Sequence, residues 1–359
     1  MSKKIIFSAG GTGGHIFPAI HLMNHFKDKG YDVLLVTDSR GKKFLKNYSK
    51  YKIYELKTAT TTNKNVFKKF ISIFTIIYSI WVSFIIIKKE KVNLIFGFGG
   101  YVSFPMSFAS KIFNLPLFIY ENNLVFGRAN KFLSLFAKKI FIAKDIDTIT
   151  TKKYKNKIYK VGEILDKNLF NIKDLKKNSK KNIFTILVLG GSQGAEIFGL
   201  IIPQVIKMLK KQGYHIQILQ QCLFSQKNSI TKFYNDNNIK NDVFDFKENI
   251  SELLLLSDLA ITRCGASTIA ELVITSTPFI GVPLPDSIDN HQYLNARYYK
   301  NSGCCWLLKQ EDFIEENLFN LIDEAIKNET KLLDIKKNME KKYNNNVYKY
   351  IEEEIKEFI

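Results

Sequence analysis

Two doubly wound α/β domains in tandem are what this sequence predicts. Three observations carry that reading. Short β-branched and aromatic runs alternate with longer segments of helical periodicity, the series occurs twice, and each series opens with a run that ends in a glycine-rich loop before a helix. A chain of 359 residues has room for two domains of about 100–200 residues each.

In the first half the strands are read at Lys4–Ser8, Val33–Thr37, Lys52–Leu56, Asn93–Phe98, Leu117–Tyr120 and Lys139–Ala143. In the second half they are read at Ile183–Leu189, His215–Leu219, Val243–Phe246, Leu259–Thr262, Phe279–Val282 and Cys305–Leu308. Apolar runs without alternation fit parallel strands covered on both faces. Asp166–Lys181 is rich in Lys, Asn and Asp and reads as a linker, so the boundary falls near Val161–Asp166. The division expected is 1–162, 163–340 and a tail, 341–359. In the tail Val347, Ile351, Ile355 and Phe358 recur at helical spacing, which predicts an amphipathic helix packed back on the body.

Composition narrows the function classes. Hydrophobic residues at 46% and charged residues at 24% fit a folded globular chain and exclude collagen-like and largely disordered ones. The net charge of +19 favours anionic partners: nucleic acid, anionic lipid or phosphorylated substrates. No recognition-helix or RNA-binding motif supports nucleic acid. Cys222, Cys264, Cys304 and Cys305 form no CxxC pair and have no His at ligand spacing, so reduced thiols are expected. Lys3 and Lys4 precede an apolar run that stops at once in glycines, which does not make an export signal.

Phe70–Ile87 is a run of apolar and hydroxyl residues without charge, flanked by Lys64, Lys68, Lys69, Lys88, Lys89 and Lys91. Ser72, Thr75, Ser79 and Ser83 fall on one helical stripe. A buried helix, a helix dipping one face into an anionic membrane surface and a membrane span are all open. The span is disfavoured because the strand–helix alternation resumes at Asn93.

Six segments carry chemistry. Gly10-Gly11-Thr12-Gly13-Gly14-His15 follows the first strand and opens a helix, where glycines admit a ligand to the backbone and the helix start favours an anion. Ile16 stands where a third glycine would complete a dinucleotide fingerprint, although Asp38 ends the second strand as a ribose-binding acid would. His15, at the tip of the turn, suits general-base work. Gly97–Tyr101 and Tyr120–Asn123 also sit at strand ends. Leu189–Ala195 repeats the glycine-loop device without a Walker lysine, and Ser192 with the loop amides could hold a diphosphate. Thr262–Glu271 offers small residues at a helix start and, one turn on, Glu271, placed to accept both ribose hydroxyls. Pro283–Asn295 supplies Asp289, His291, Gln292 and Asn295, which suit a sugar. Asp145-Ile146-Asp147 matches a metal-binding DxD by form only, and no metal is expected there.

GGTGGH at Gly10–His15, FGGY at Phe98–Tyr101, ENN at Glu121–Asn123, GGSQGA at Gly190–Ala195, RxGAxTxxE at Arg263–Glu271 and HQxxNA at His291–Ala296 occur in that order. Together they resemble glycosyltransferase family 28, and within it the bacterial enzymes that complete the lipid-linked peptidoglycan precursor. The resemblance spans nearly the whole chain. It implies a GT-B fold, two Rossmann-like domains facing across a cleft. It implies inverting, metal-independent transfer of N-acetylglucosamine (GlcNAc) from UDP-GlcNAc to the C4 hydroxyl of the N-acetylmuramoyl residue of undecaprenyl-diphosphate-linked lipid I, giving lipid II, with no cofactor. By the same resemblance the acceptor meets Thr12, Gly13, Gly14, His15, Tyr101, Glu121 and Asn123. The donor diphosphate meets Ser192 and Gln193, the nucleotide lies along Arg263, Gly265, Ala266 and Thr268, Glu271 takes the ribose, and His291 and Gln292 read the GlcNAc hydroxyls. His15 is the expected base. Phe70, Phe74 and Trp81 are expected to contact an anionic membrane surface, which places the protein peripherally on the cytoplasmic face of the plasma membrane. The sequence departs from the family's usual pattern at Tyr120, commonly His, and at Leu124, commonly Gly. The usual Gln-x-Gly reads Gln221-Cys222-Leu223. Val161-Gly162-Glu163-Ile164-Leu165-Asp166 stands where Val-Gly-Asn-Pro and a following Arg are usual. The alternatives are another UDP-sugar enzyme of the same fold, such as an epimerase, or a sugar-nucleotide sensor without turnover.

Overall fold

The computed structural model describes residues 3–45, 48, 50–59, 66–146, 149–170, 182–191, 195–247, 250–342 and 346–359, with 66–69 and 149–150 described by backbone alone. Two compact units emerge. The first comprises Met1–Leu165 with Asn344–Ile359, the second Asp166–Tyr343.

In the first unit the elements are β1 (Lys4–Ala9), α1 (Gly13–Asp28), β2 (Asp32–Thr37), α2 (Ser39–Lys42), β3 (Lys52–Glu55), α3 (Val66–Glu90), β4 (Leu94–Gly99), α4 (Ser103–Ile112), β5 (Leu117–Glu121), α5 (Arg128–Leu133), β6 (Lys139–Ile142), α6 (Ile149–Lys153) and β7 (Ile158–Lys160). All seven strands are parallel, in the order β3-β2-β1-β4-β5-β6-β7. In the second unit they are β8 (Phe184–Leu189), α7 (Glu196–Lys211), β9 (Ile216–Gln221), α8 (Phe224–Asp236), β10 (Lys240–Phe244), α9 (Ser251–Leu256), β11 (Leu259–Thr262), α10 (Ala266–Ile274), β12 (Phe279–Gly281), α11 (His291–Asn301), β13 (Cys305–Leu307), α12 (Glu315–Lys327) and α13 (Glu329–Glu340). Its six parallel strands run β10-β9-β8-β11-β12-β13. The last helix, α14 (Val347–Ile355), belongs to the first unit. Both units are therefore Rossmann-like doubly wound sheets. Most strand ends differ from the sequence reading by one or two residues. β10 begins and ends earlier than expected, and β7 was not expected at all. Three residues of Ile-Tyr-Lys carry too little periodicity to register as a strand.

The strands are parallel because the crossovers between them are helical and both sheet faces are covered. Ile5, Ile6 and Phe7 are buried in full. Phe7, Phe96 and Phe118, one from each of β1, β4 and β5, stand in register, and their neighbours' ring centroids are 5.4 Å apart. Phe141 of β6 continues the row at 6.0 Å from Phe118. The final residues close it: Phe358 meets Phe118 edge-on at 5.2 Å, while Lys139 binds Glu354 at 3.0 Å and Glu357 at 2.8 Å. His25 of α1 faces Glu352 at 3.3 Å.

Helix α3 is turned inside out. Ser72, Ser79 and Ser83 are buried, whereas Phe70, Phe74 and Trp81 are 59%, 70% and 58% exposed. Small hydroxyl side chains line its buried face and spend their protons on backbone. Ser79 donates to the Lys57 carbonyl at 2.5 Å and Ser83 to Ser79 at 2.7 Å. Among the described side chains of the helix, Ile86 and Ile87 near its end are the buried apolar ones and join the core with Leu56 and Val92. The buried-helix placement is thus corrected for much of the run: Phe70, Ile71, Ile73, Phe74, Ile77, Tyr78 and Trp81 are exposed, while Val82 and Phe84 pack against the core. Lys64 lies outside the described residues.

Candidate functional site

In an open parallel sheet, ligands bind beyond the carboxyl ends of the strands, at the point where successive crossovers leave to opposite sides. That point lies between β1 and β4 in the first unit and between β8 and β11 in the second. The glycine-rich loops occupy these two points.

In the first unit the loops after β1 and β4 touch backbone to backbone. A Cβ on Gly100 would lie 2.5 Å from the Gly10 carbonyl oxygen, and Gly100 has φ +79°. No other residue satisfies both conditions. The Ser103 hydroxyl sits 2.8 Å from the Gly99 carbonyl and 2.9 Å from that of Ser8, and so ties the two strand ends. His15 lies in the first turn of α1 with Nδ1 3.0 Å from the Gly10 carbonyl oxygen. A carbonyl only accepts, so Nδ1 carries the proton and Nε2 keeps its lone pair. A Cβ on Gly99 would sit 3.0 Å from that Nε2; the missing side chain leaves its face open. Thr12 is the exposed N-cap of α1, its side chain makes no capping bond, and the first turn of the helix holds no acid. The positive end of the helix, with Gly13 and Gly14 in its first turn, is therefore left for a ligand's negative charge.

Asp38 is nearly fully buried. It accepts from Gly11 at 3.0 Å and Gly41 at 2.8 Å, and binds Arg40 at 3.2 Å. Burial alone would raise its pKa, but these bonds outweigh it and hold the carboxyl below its ordinary value. Asp38 is a brace for the loop and its oxygens are engaged, which closes the ribose-acid reading. The guanidinium of Arg40 lies 6.0 Å over the ring of Tyr101, which is partly exposed beside the same opening.

Glu121 ends β5 and is 2% exposed. One carboxylate oxygen accepts from Asn123 N (3.0 Å) and Nδ2 (3.2 Å), the other from Gly127 N (2.9 Å) and Asn130 Nδ2 (2.9 Å). The carboxylate is the hub of its own loop and shapes the position of Asn123; it does not face outward. Asn130, which also bonds the Tyr120 carbonyl at 3.2 Å, was missed by the sequence reading. Its signal was faint: an amide at the start of a short helix, seven residues past the loop.

In the second unit Gly190 and Gly191 leave β8, while Ser192, Gln193 and Gly194 lie outside the described residues. Gly191 abuts Arg263, whose Cβ is 3.7 Å from the position a Gly191 Cβ would take. Arg263 is buried. Nη1 donates to the carbonyls of Val282 and Pro283, both at 3.2 Å, Nη2 donates to Gln310 Oε1 at 2.5 Å, and the guanidinium lies 4.8 Å over Phe198. Its Nε is buried without a partner. Burial lowers its pKa, and no carboxylate offsets that. Arg263 braces the loops from beneath the glycines; Gln310, its partner 47 positions away, was not foreseen.

The HQxxNA stretch explains itself in the fold. Gln292 Oε1 accepts from Cys264 N at 3.1 Å and Leu284 N at 3.0 Å, and Asn295 Nδ2 donates to the Cys264 carbonyl at 3.3 Å. Both backbone groups of Cys264 are thus held by α11. With its oxygen spent, the Gln292 amide presents only donors elsewhere. His291 Nδ1 meets the Ile288 carbonyl at 2.7 Å, which leaves Nε2 as the acceptor on an exposed ring. Asp289 and Asn290 just before it have φ of +52° and +55°, a strained turn that Asp and Asn tolerate best among non-glycine residues. Gly265 is the N-cap of α10, Ala266 is its first residue, and Thr268 lies within its first turn.

Glu271 lies one turn further along α10. Burial, and then the like charge of Asp166, push its carboxyl up to about 8. The acid at the first position of the second unit therefore acts on the ribose candidate itself. Asp145 is exposed and binds Lys160 at 2.5 Å; Asp147 lies outside the described residues.

Residues 5–142 match the glycosyltransferase family 28 N-terminal domain and residues 185–353 the family 28 C-terminal domain. A UDP-N-acetylglucosamine--N-acetylmuramyl-(pentapeptide) pyrophosphoryl-undecaprenol N-acetylglucosamine transferase of Pelagibacter ubique is 37% identical over 94% of both chains. One of the same name from Rickettsia felis is 36% identical over 95% of both. Among solved structures, Acinetobacter baumannii MurG superposes with a TM-score of 0.78 at 24% identity, covering 99% of this chain and 100% of its own. A UDP-N-acetylglucosamine 2-epimerase reaches 0.66 at 10% identity, over 100% of this chain and 97% of its own, which is a likeness of fold alone. By its domains and its full-length relatives, this chain belongs to glycosyltransferase family 28, in the MurG branch.

Proposed function

We infer that this protein transfers GlcNAc from UDP-GlcNAc to the C4 hydroxyl of the N-acetylmuramoyl residue of lipid I, giving lipid II for peptidoglycan synthesis. The full-length relatives favour this over an epimerase or a sensor. The observation that carries the chemistry is His15: its Nδ1 proton is committed to Gly10 and its Nε2 faces an opening kept free by Gly99. As the acceptor hydroxyl attacks the anomeric carbon, Nε2 takes the hydroxyl proton. The new C–O bond forms as the bond to the UDP oxygen breaks, and the electron pair leaves with UDP; attack from the opposite face inverts the centre. The α1 N-terminus, with Thr12, Gly13 and Gly14, offers positive potential to the acceptor diphosphate. In the second unit Gly190, Gly191 and the α10 start offer amides to the leaving UDP. Gln292 donates to sugar oxygens through the amide protons left free by its two backbone bonds, and Glu271 accepts from the ribose.

The test is transfer of labelled GlcNAc from UDP-GlcNAc to a short-chain lipid I analogue in the presence of EDTA. Lipid II analogue is the expected product. UDP-GlcNAc binding with neither transfer nor hydrolysis would replace this reading by the sensor, and interconversion of the sugar at C2 would replace it by the epimerase.

We propose that the protein sits peripherally on the cytoplasmic face of the plasma membrane. Between Glu55 and Asp145 the sequence holds thirteen Lys and Arg residues and only two acids, Glu90 and Glu121. Both acids are buried, so this stretch presents cations and the outward apolar face of α3 with no surface carboxylate. That pairing suits an anionic interface. Although α3 has the length and hydropathy of a span, its serines Ser72, Ser79 and Ser83 are buried and Ile86 and Ile87 join the core of the first unit. Replacing Phe70, Phe74 and Trp81 together by serine is expected to abolish co-sedimentation with vesicles containing phosphatidylglycerol, without lowering transfer to a water-soluble acceptor. Undiminished sedimentation would move membrane contact elsewhere.

A further inference from the structure

Three adjacent parallel strands bring four distant residues to one place. β5 delivers Tyr120 and, just beyond it, Asn122; β6 delivers Lys144; β7 delivers Glu163. Lys144 is 4% exposed and its ammonium pairs with the Glu163 carboxylate, itself mostly buried. The same ammonium lies 3.5 Å from the Asn122 carbonyl. The Tyr120 hydroxyl accepts from Ile164 N at 3.0 Å and lies 3.1 Å from the Gly162 carbonyl and 3.3 Å from Asn122 Oδ1, one of which takes its proton. Gly162 has φ +100°, a turn that carries Glu163 back under the sheet end. Two residues on, the Leu165 carbonyl accepts from the Tyr348 hydroxyl of α14. The segment by which the chain leaves the first unit is therefore hooked on one side to the loop that carries Glu121 and Asn123, and on the other to α14.

A buried ion pair is weak evidence for stability, since apolar residues often replace one without loss; its better-attested use is to specify one arrangement. Here the arrangement specified is that of an acceptor-side loop. We propose that Tyr120 and Lys144 are positioning residues: with Glu163 they hold Asn122, and through it the Glu121–Gly127 loop, in register for the lipid-linked acceptor. The proposal rests on the transfer reading above and adds these residues to it. Neither touches the reacting atoms.

Tyr120→Phe removes one hydroxyl and little volume. Lys144→Met removes the cation but strands Glu163, so Lys144→Met/Glu163→Leu, with neither charge, is the control for stability. Two readouts are taken. Hydrogen exchange at the amides of Asn123 and Gly127 is expected to quicken at least about tenfold in all three variants, with the amides of α1 unchanged. The KM for the lipid I analogue is expected to rise about tenfold with the KM for UDP-GlcNAc unchanged, and Lys144→Arg is expected to restore both readouts. Wild-type exchange at Asn123 and Gly127 in a double variant that melts like the wild type would overturn the proposal, as would equal rises in both KM values. Should the wild type make no product, the transfer reading falls while exchange still decides whether the hook orders the loop.

Discussion

His15→Ala is expected to lower kcat for GlcNAc transfer by about two to four decades, the range set by loss of a positioned general base. The KM for UDP-GlcNAc is expected to stay near that of the wild type, because His15 lies in the first unit and the residues proposed for the donor lie in the second. The geometry makes the expectation specific to Nε2. Nδ1 is committed to the Gly10 carbonyl, so a replacement that keeps only the Nδ1 bond keeps the loop without the base. His15→Asn, whose amide can donate to Gly10, is therefore expected to be folded and as slow as His15→Ala. The measurement is single-turnover transfer with both substrates saturating. A variant within about threefold of the wild type would remove His15 from the chemistry and leave it a loop fastener.

The second large effect belongs to Glu271. A carboxylate accepting both ribose hydroxyls makes two charge-assisted bonds at about 1.5–3 kcal/mol each. Glu271→Ala is accordingly expected to weaken UDP-GlcNAc by about two decades or more, with the acceptor KM unchanged. The free site also carries a pH signature. Burial and the Asp166 charge raise the Glu271 carboxyl to about 8, so at neutral pH most of it is protonated and must ionise for the ribose. Donor affinity should improve as pH rises, by up to about tenfold per unit below that value, and level off above it. The stability linkage has the opposite sign: a carboxyl whose folded pKa is raised loses stability as pH climbs from its unfolded value toward 8. Asp166→Asn removes the like charge, so the inflection should move to lower pH and affinity at neutral pH should rise. Calorimetric titration with UDP-GlcNAc from pH 6 to 9 on the three proteins checks this. A flat profile in the wild type would show that the ribose is held by something other than this carboxylate.

Much of the site was legible because of what parallel sheets demand. Buried parallel strands must be continuous apolar runs, and switch-point loops that touch each other's backbone must be glycine, as Gly100 against Gly10 shows. Both are local constraints and leave local marks. The direction of a side chain is not such a constraint. Glu121 and Arg263 read equally well as ligand contacts, yet Asn130 and Gln310 from later elements help take up the Glu121 carboxylate and the terminal nitrogens of Arg263. Asp38 looked like a ribose acid until Gly11 and Gly41 claimed it. Helix α3 shows the same limit on a larger scale. Its periodicity separates a serine stripe from an apolar one and is silent on which faces the sheet.

The sequence by itself determined the two doubly wound units, the glycine loops at their switch points, the candidate base and the family. These depend on backbone conformation and on burial along a single segment, which residue type and spacing encode directly. Only the tertiary structure decided that α3 turns its apolar face outward, that α14 closes the first unit, and that Tyr120, Lys144 and Glu163 meet. Each of these is settled by partners distant in the chain, and the free energy of burying a hydroxyl, an ion pair or an aromatic ring depends on whether that partner arrives.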